Sequence, residues 1–185
     1  KVAEAQAQVA AAVEVRDMRG VSRAGTAGQK SGGAQEAEST YQRIRADMAK
    51  EIAAGKVEVE RDGARIIIRL AEQGSFQSGR ADLQPGFMQT LSQVAGSISK
   101  TNGRVYIEGH TDNVPVIFNE RFRSNWDLSG ARAGAVADYM SANGLVASRI
   151  SVAGYADTRP IAGNDSAEGR ARNRRIEVIV DGADR

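Results

Sequence analysis

The first isoleucine of the chain is Ile44, the first leucine is Leu70, and Tyr41 is the only aromatic residue before Phe76. The large apolar side chains from which a core is built therefore belong to the later part of the sequence. Residues 1–19 alternate Ala, Gln and Val with occasional charge, and Val2, Ala5, Val9 and Ala12 trace a weak helical stripe. Residues 20–34 carry Gly20, Gly25, Gly28, Gly32 and Gly33 among Ser, Thr and Ala. Ordering such a backbone costs entropy that burial does not repay. Residues 1–35 are accordingly read as a flexible linker, and residues 36–185 as the folded domain.

Periodicity begins at residue 36. Tyr41, Ile44, Met48 and Ile52 recur at steps of three or four, and Gly55 follows as a stop signal, which predicts an amphipathic accessory helix over 36–54. Val57 and Val59 alternate with Glu58 and Glu60, Asp62-Gly63 supplies a turn, and Ala64, Ile66, Ile68 and Leu70 resume the alternation: a β-hairpin. After a polar loop, Pro85 opens a helix whose stripe is Leu83, Phe87, Leu91, Val94 and Ile98. The second half predicts a strand at 105–109, a helix from about Leu128 to Ala142, a strand at 149–154 and a last strand at 174–180. The alternation implies an α/β fold, a two-layer βαβαβ-like sandwich with a hairpin ahead of the main units.

Composition narrows the chemistry. The 185 residues include no cysteine and one histidine, His110, which removes disulfides, thiolate metal sites, thiol nucleophiles and multi-histidine metal sites. No metal and no cofactor are expected. A net charge of +2 from 25 basic and 23 acidic residues does not argue for a polyanionic partner. No apolar run approaches the ~18 residues that cross a bilayer. The chain opens on Lys1, and is read as a fragment whose targeting or membrane segment lies upstream.

Three segments carry candidate chemistry. Gly109-His110-Thr111-Asp112-Asn113 leaves the carboxyl end of a strand, where open α/β sheets place ligands; Asp112 is either a site carboxylate or the acceptor of an Asx turn. His110 is read as a satisfied structural histidine. Asn125-Trp126-Asp127-Leu128-Ser129 opens a helix with Asp127 or Ser129 as N-cap, putting Arg132 in the first turn, where it either joins the backbone in holding an anion or pairs with a neighbouring acid. Trp126 is read as packed. The group Gly169-Arg170-Ala171-Arg172-Asn173-Arg174-Arg175 lacks the interleaved aromatics of a nucleic-acid platform, so its arginines are read as braces for loops beside Asp112. No nucleic-acid partner is expected. A hydrolase using His110 and Asp112 would lack a nucleophile motif and a second histidine, and the protein is read as a non-enzyme.

In order and spacing, Gly109-His110-Thr111-Asp112, Asn125-x-x-Leu128-Ser129-x-x-Arg132-Ala133, Gly154-Tyr155 with Pro160, and Gly169-Arg170-x-x-Asn173-Arg174-Arg175-Ile176 resemble the OmpA-like peptidoglycan-binding domain. Phe76-x-Ser78-Gly79-x-Ala81 extends the resemblance toward the hairpin. Asp112-Asn113-Val114-Pro115 and the long loop Phe118 to Ser124 are most similar to the periplasmic part of flagellar stator B-subunits, MotB and PomB. The resemblance implies that Asp112 and Arg132 hold the diaminopimelate of a peptidoglycan stem peptide, with Thr111, Asn125 and Leu128 shaping the pocket and Arg175 lining it. It further implies a homodimer, an upstream transmembrane segment beside a stator A-subunit, and a periplasmic domain anchored to the inner membrane. The alternative it leaves open is the wall tether of another envelope complex: an outer-membrane protein, a lipoprotein or a secretion-system subunit.

Overall fold

The computed structural model describes residues 24–116 and 121–182, with side chains from Gly33 onward. In chain order the elements are α1 (Ala24–Asp47), α2 (Ala49–Ala53), β1 (Val57–Asp62), β2 (Arg65–Ala71), α3 (Pro85–Ser99), β3 (Arg104–His110), α4 (Asn125–Ala142), β4 (Ile150–Gly154), α5 (Ala167–Asn173) and β5 (Arg175–Asp181). The strands form one sheet in the order β1-β2-β5-β3-β4. Its pairings are antiparallel except β3 with β4. The fold class expected from the alternation, a mixed α/β sandwich, is the one observed.

Each element follows from its local pattern, with four differences, the last of them the earlier start of α4. The hairpin pairs Asp62 with Arg65, so its turn residues are Gly63-Ala64, one place later than read; Gly63 takes the positive φ of 60° that such a turn needs. The stretch read as a linker is helical from Ala24, while residues 1–23 lie outside the described residues. Gln, Lys and Ala are strong helix formers. The glycines among them cost about 1 kcal/mol each, which does not outweigh one hydrogen bond per residue propagated from the seated end of the helix. That end is Ile44 and Met48, both buried in the core, and the helix breaks only at Met48 before the short α2. The third difference is α5, which no stripe announced because it is seven residues long and carries four polar or charged positions; Ser166 caps it by accepting from the Gly169 amide at 3.0 Å.

The two faces of the sheet differ in kind. Ile66, Ile68 and Leu70 of β2, Ile176, Val178 and Val180 of β5, and Val105 and Ile107 of β3 join Leu91, Val94 and Ile98 of α3 and Val136 and Met140 of α4 in one apolar core. The opposite face holds Arg69, Glu177 and Arg175. There Arg69 Nε donates to Glu177 Oε1 at 3.0 Å, Arg175 Nε to the same oxygen at 2.8 Å, and Arg69 Nη1 reaches Glu60 at 2.5 Å. All of β5 is buried, flanked by β2 on one side and β3 on the other. No helix among the described residues is long and apolar enough to cross a membrane.

Candidate functional site

β2 and β3 run in the same direction on either side of β5, so both end where β5 begins. The register aligns Ala71 with Arg175 and His110 with Arg175. The residues just beyond those pairs, Glu72, Thr111-Asp112 and Arg174, therefore meet at one edge of the sheet although 40 and 62 positions separate them in the chain. α4 supplies the remaining wall. Its close approach is permitted by Gly109, where a Cβ would lie 2.1 Å from the Ser129 carbonyl oxygen.

Loop hydrogen bonds set the position of Asp112. Tyr155 N donates to Gly109 O at 2.9 Å and Thr111 N to Ala156 O at 2.8 Å, which ties the exit of β3 to the exit of β4. Ala156 holds a left-handed φ of 49°, sustained by its own amide donating to Ser129 Oγ at 3.1 Å. Asp112 is buried; its Oδ1 accepts from Val114 N at 3.0 Å and its Oδ2 from Arg174 Nη1 at 2.6 Å. The Asx turn and the site carboxylate are thus the two oxygens of one side chain. Asn125 locks the same loop: its amide donates to the carbonyls of Asp112 at 3.3 Å and Val114 at 3.0 Å, and its oxygen accepts from Val116 N at 3.0 Å.

The helix that carries Arg132 starts earlier than the motif suggested. Ser124 is its N-cap, accepting from Asp127 N at 3.2 Å, while Asp127 accepts from Arg123 N at 3.1 Å, the residue just before the cap; neither Asp127 nor Ser129 is the N-cap itself. Arg132 is therefore in the third turn, away from the helix N-terminus. Trp126, read as packed, is 54% exposed because the early start turns the second helical residue to solvent. Arg132 itself is buried: Nε donates to Arg80 O at 2.8 Å, Nη1 meets Glu72 Oε1 at 2.5 Å, and the guanidinium lies 4.9 Å from the Phe76 ring centre. Burial pulls its pKa below the ordinary arginine value, partly offset by Glu72 and reinforced by Arg174. Its neighbour Arg174 goes the other way. Burial lowers it too, but its contacts with Asp112 and Glu72 win and the net shift is upward.

Asp112, Arg174, Glu72 and Arg132 thus form a chain of alternating charge, closed by Arg174 Nε to Glu72 Oε2 at 2.7 Å. It lines a groove with a cavity volume of about 1270 Å³, whose other walls include Phe76, Ser78, Gly79, Thr111, Val114, Asn125 and Leu128. Arg121, from the end of the long loop, reaches the rim and pairs with Asp82 at 3.0 Å; residues 117–120 lie outside the described residues. Of the side chains singled out in the sequence, Asp112, Thr111, Asn125, Leu128 and Arg132 meet in this groove. Arg175 does not: its guanidinium is buried on the open sheet face against Glu177, and strand alternation sends Arg174, one residue earlier, into the groove instead. Glu72 was missed altogether. Its signal was a charged residue directly after the apolar run of β2, at the same carboxyl edge as Asp112.

His110 is buried and stacked on Tyr155 at 5.5 Å, but among the described residues neither ring nitrogen has a hydrogen-bond partner, so it is not the satisfied histidine expected. Its Nε2 lies 3.6 Å from Glu108 Oε2 and 4.0 Å from Glu177 Oε2. These three side chains offer metal-ligand atoms within 4.8 Å of one another. Arg69, Arg175 and Arg159 already engage the two carboxylates, however, and their charge opposes a cation there.

The arginine-rich motif divides its labour. A Cβ at Gly169 would lie 1.8 Å from Gly163 O, Asn173 is fully buried and donates to Ala162 O while accepting from Ile161 N and Ala162 N, Arg174 enters the groove, and Arg175 braces the sheet. Residues 75–174 match the model of the OmpA family. The chain belongs to the OmpA family. Motility protein B of Bacillus subtilis is 32% identical over 127 residues, 68% of this chain and 48% of that protein. The chain spans about half the length of the curated relatives it matches. Among solved structures, the cell wall anchor of the T6SS from Pseudomonas aeruginosa is 40% identical, with a TM-score of 0.71 over 76% of this chain and 98% of that one. A MotB-like protein from Desulfovibrio vulgaris is 27% identical, with a TM-score of 0.78 over 83% of this chain and 95% of that one. The OmpA-family match covers the motifs that define the groove, from Phe76 to Arg174.

Proposed function

We propose that the groove binds peptidoglycan without a covalent step, by holding the zwitterionic end of a diaminopimelate side chain. The observation that carries this reading is the convergence of Asp112 and Arg132, an anion and a cation, on one groove of an OmpA-family fold. Diaminopimelate places an ammonium and a carboxylate on one carbon. Asp112 takes the ammonium and Arg132 the carboxylate, each by charge-assisted hydrogen bonds. Thr111 and Asn125 fix the loop that presents Asp112, and Leu128 gives the ligand chain an apolar wall.

We further infer that the domain anchors a flagellar motor stator to the wall. The likeness to Motility protein B and to the MotB-like structure supports it. In this reading residues 1–35 link the domain to an upstream transmembrane segment in the inner membrane, beside an A-subunit, and the periplasmic part works as a homodimer. The higher identity to the T6SS wall anchor favours a second reading, a tether for another envelope complex. Both readings share the groove.

The test is co-sedimentation with purified sacculi of wild type, Asp112→Asn and Arg132→Ala, each confirmed folded by circular dichroism. Pelleting of the wild type and its loss in both variants is the expected result; a wild type that stays in the supernatant overturns the reading. Deletion of the gene separates the machines: lost swimming in soft agar supports the stator, and intact swimming removes it.

A further inference from the structure

The groove's two ligand-holding groups are already engaged by the protein's own side chains. Glu72 Oε1 sits 2.5 Å from Arg132 Nη1, in the place a ligand carboxylate would take. Arg174 Nη1 sits 2.6 Å from Asp112 Oδ2, in the place a ligand ammonium would take. Glu72 and Arg174 also hold each other, through Oε2 and Nε at 2.7 Å. One carboxylate and one cation, joined and spaced to bridge Asp112 and Arg132, reproduce the charge pattern of the zwitterion.

We propose that Glu72 and Arg174 are an internal surrogate for the ligand, which a zwitterionic group displaces as a pair; this rests on the reading of the groove given above. The exchange is neutral throughout. Asp112 trades Arg174 for the ammonium, Arg132 trades Glu72 for the carboxylate, and Glu72 and Arg174 leave still paired, so no buried charge is stranded. The supports suit this. The Arg174 side chain is 37% exposed and can swing outward, whereas Arg132 is pinned by the Arg80 carbonyl and Phe76. The backbone of Glu72 is fixed by its own amide donating to Arg174 O at 3.2 Å and its carbonyl accepting from Ser75 N at 2.8 Å, so only its side chain has to move.

Selectivity follows from the balance. A ligand with an ammonium alone frees Arg174 from Asp112 but leaves Glu72 shared between two guanidinium groups, with one positive charge uncompensated. A ligand with both charges leaves none. Glu72 therefore competes with a ligand carboxylate for Arg132, while the charge balance of the whole set favours a group that carries the two charges together.

The experiment is an NMR titration of the whole chain, as wild type and as Glu72→Gln. The two ligands are meso-diaminopimelate and 1,5-diaminopentane, which has the ammonium groups without the carboxylates. Amide spectra of the unliganded proteins establish that the variant is folded. Removing the internal competitor for Arg132 is expected to tighten meso-diaminopimelate about tenfold, the change that accompanies roughly 1.4 kcal/mol, with no gain for the diamine. A merely structural Glu72 would not raise affinity when replaced. Wild-type binding with an equal or weaker Glu72→Gln overturns the surrogate and leaves the groove's function standing. Equal gains for both ligands also overturn it, since they mean that the groove has simply loosened. If neither protein binds meso-diaminopimelate, the reading of the groove falls and the surrogate with it.

Discussion

On the open face of the sheet, Arg69 reaches from β2 to Glu177 on β5 at 3.0 Å, and Arg175 reaches the same carboxylate at 2.8 Å. In the groove, Arg174 reaches Asp112 at 2.6 Å and Arg132 reaches Glu72 at 2.5 Å. The chemistry of the two sets is the same and their supports are not. Arg69 on β2 is paired directly across from Glu177 on β5, and Arg175 stands two residues from Glu177 on the same strand, on the same face. Asp112, Glu72 and Arg174 stand one or two residues beyond the ends of strands, where a side chain can turn away without breaking the ladder. Pairs fixed by register hold the fold together. Pairs at strand ends can exchange partners, which is what binding requires.

Breaking the sheet-face set is expected to cost the most stability. Glu177→Ala strands the buried guanidinium of Arg175, and removing one partner of a buried pair costs about 3 kcal/mol or more. Urea unfolding should show that loss, while sacculus binding per folded molecule stays at the wild-type level; lost binding would mean that the two sets are coupled. Asp112→Asn is expected to reverse the pattern. It should weaken ligand binding by roughly 2 kcal/mol, about thirtyfold, with a smaller change in stability, read by titration and unfolding on the same sample.

Acid sharpens the contrast. Burial alone would raise the Glu177 carboxyl, but Arg175 and Arg69 outweigh it and hold its pKa below the ordinary 4.5. A carboxyl lowered in the folded state contributes stability that is present above its unfolded value and is lost as the pH falls through the folded one. Wild-type unfolding free energy should therefore fall with acid below about pH 4.5, and Glu177→Gln should show a shallower slope there. The smallest effect belongs to a pair of the same chemistry with neither support. Arg123 is 79% exposed beside Asp127, and Arg123→Ala should change stability by less than about 0.5 kcal/mol in thermal unfolding.

How much of this was legible in the sequence depended on whether a signal was local. Alternation at Ile66, Ile68 and Leu70 and the stripe from Phe87 to Ile98 are local, and both elements appear where their patterns put them. Asp112 and Arg132 were legible as motif residues. The helix cap was misplaced because Ser124 lies in a loop with no periodicity of its own, and that error put Arg132 in the wrong turn. Arg174 and Arg175 are adjacent arginines with no local feature to rank them, and only strand alternation sends one into the groove and the other to Glu177.

By itself, then, the sequence determined the apolar faces, the presence of a hairpin between β1 and β2 and the two motif residues of opposite charge, Asp112 and Arg132, since each depends on neighbours a few positions away. The insertion of β5 between β2 and β3 was decided by the tertiary structure alone. That strand order brings Glu72, Asp112 and Arg174 to one edge from three distant parts of the chain. Side chains are assigned partners by where strands end in space, and no spacing along the sequence records that.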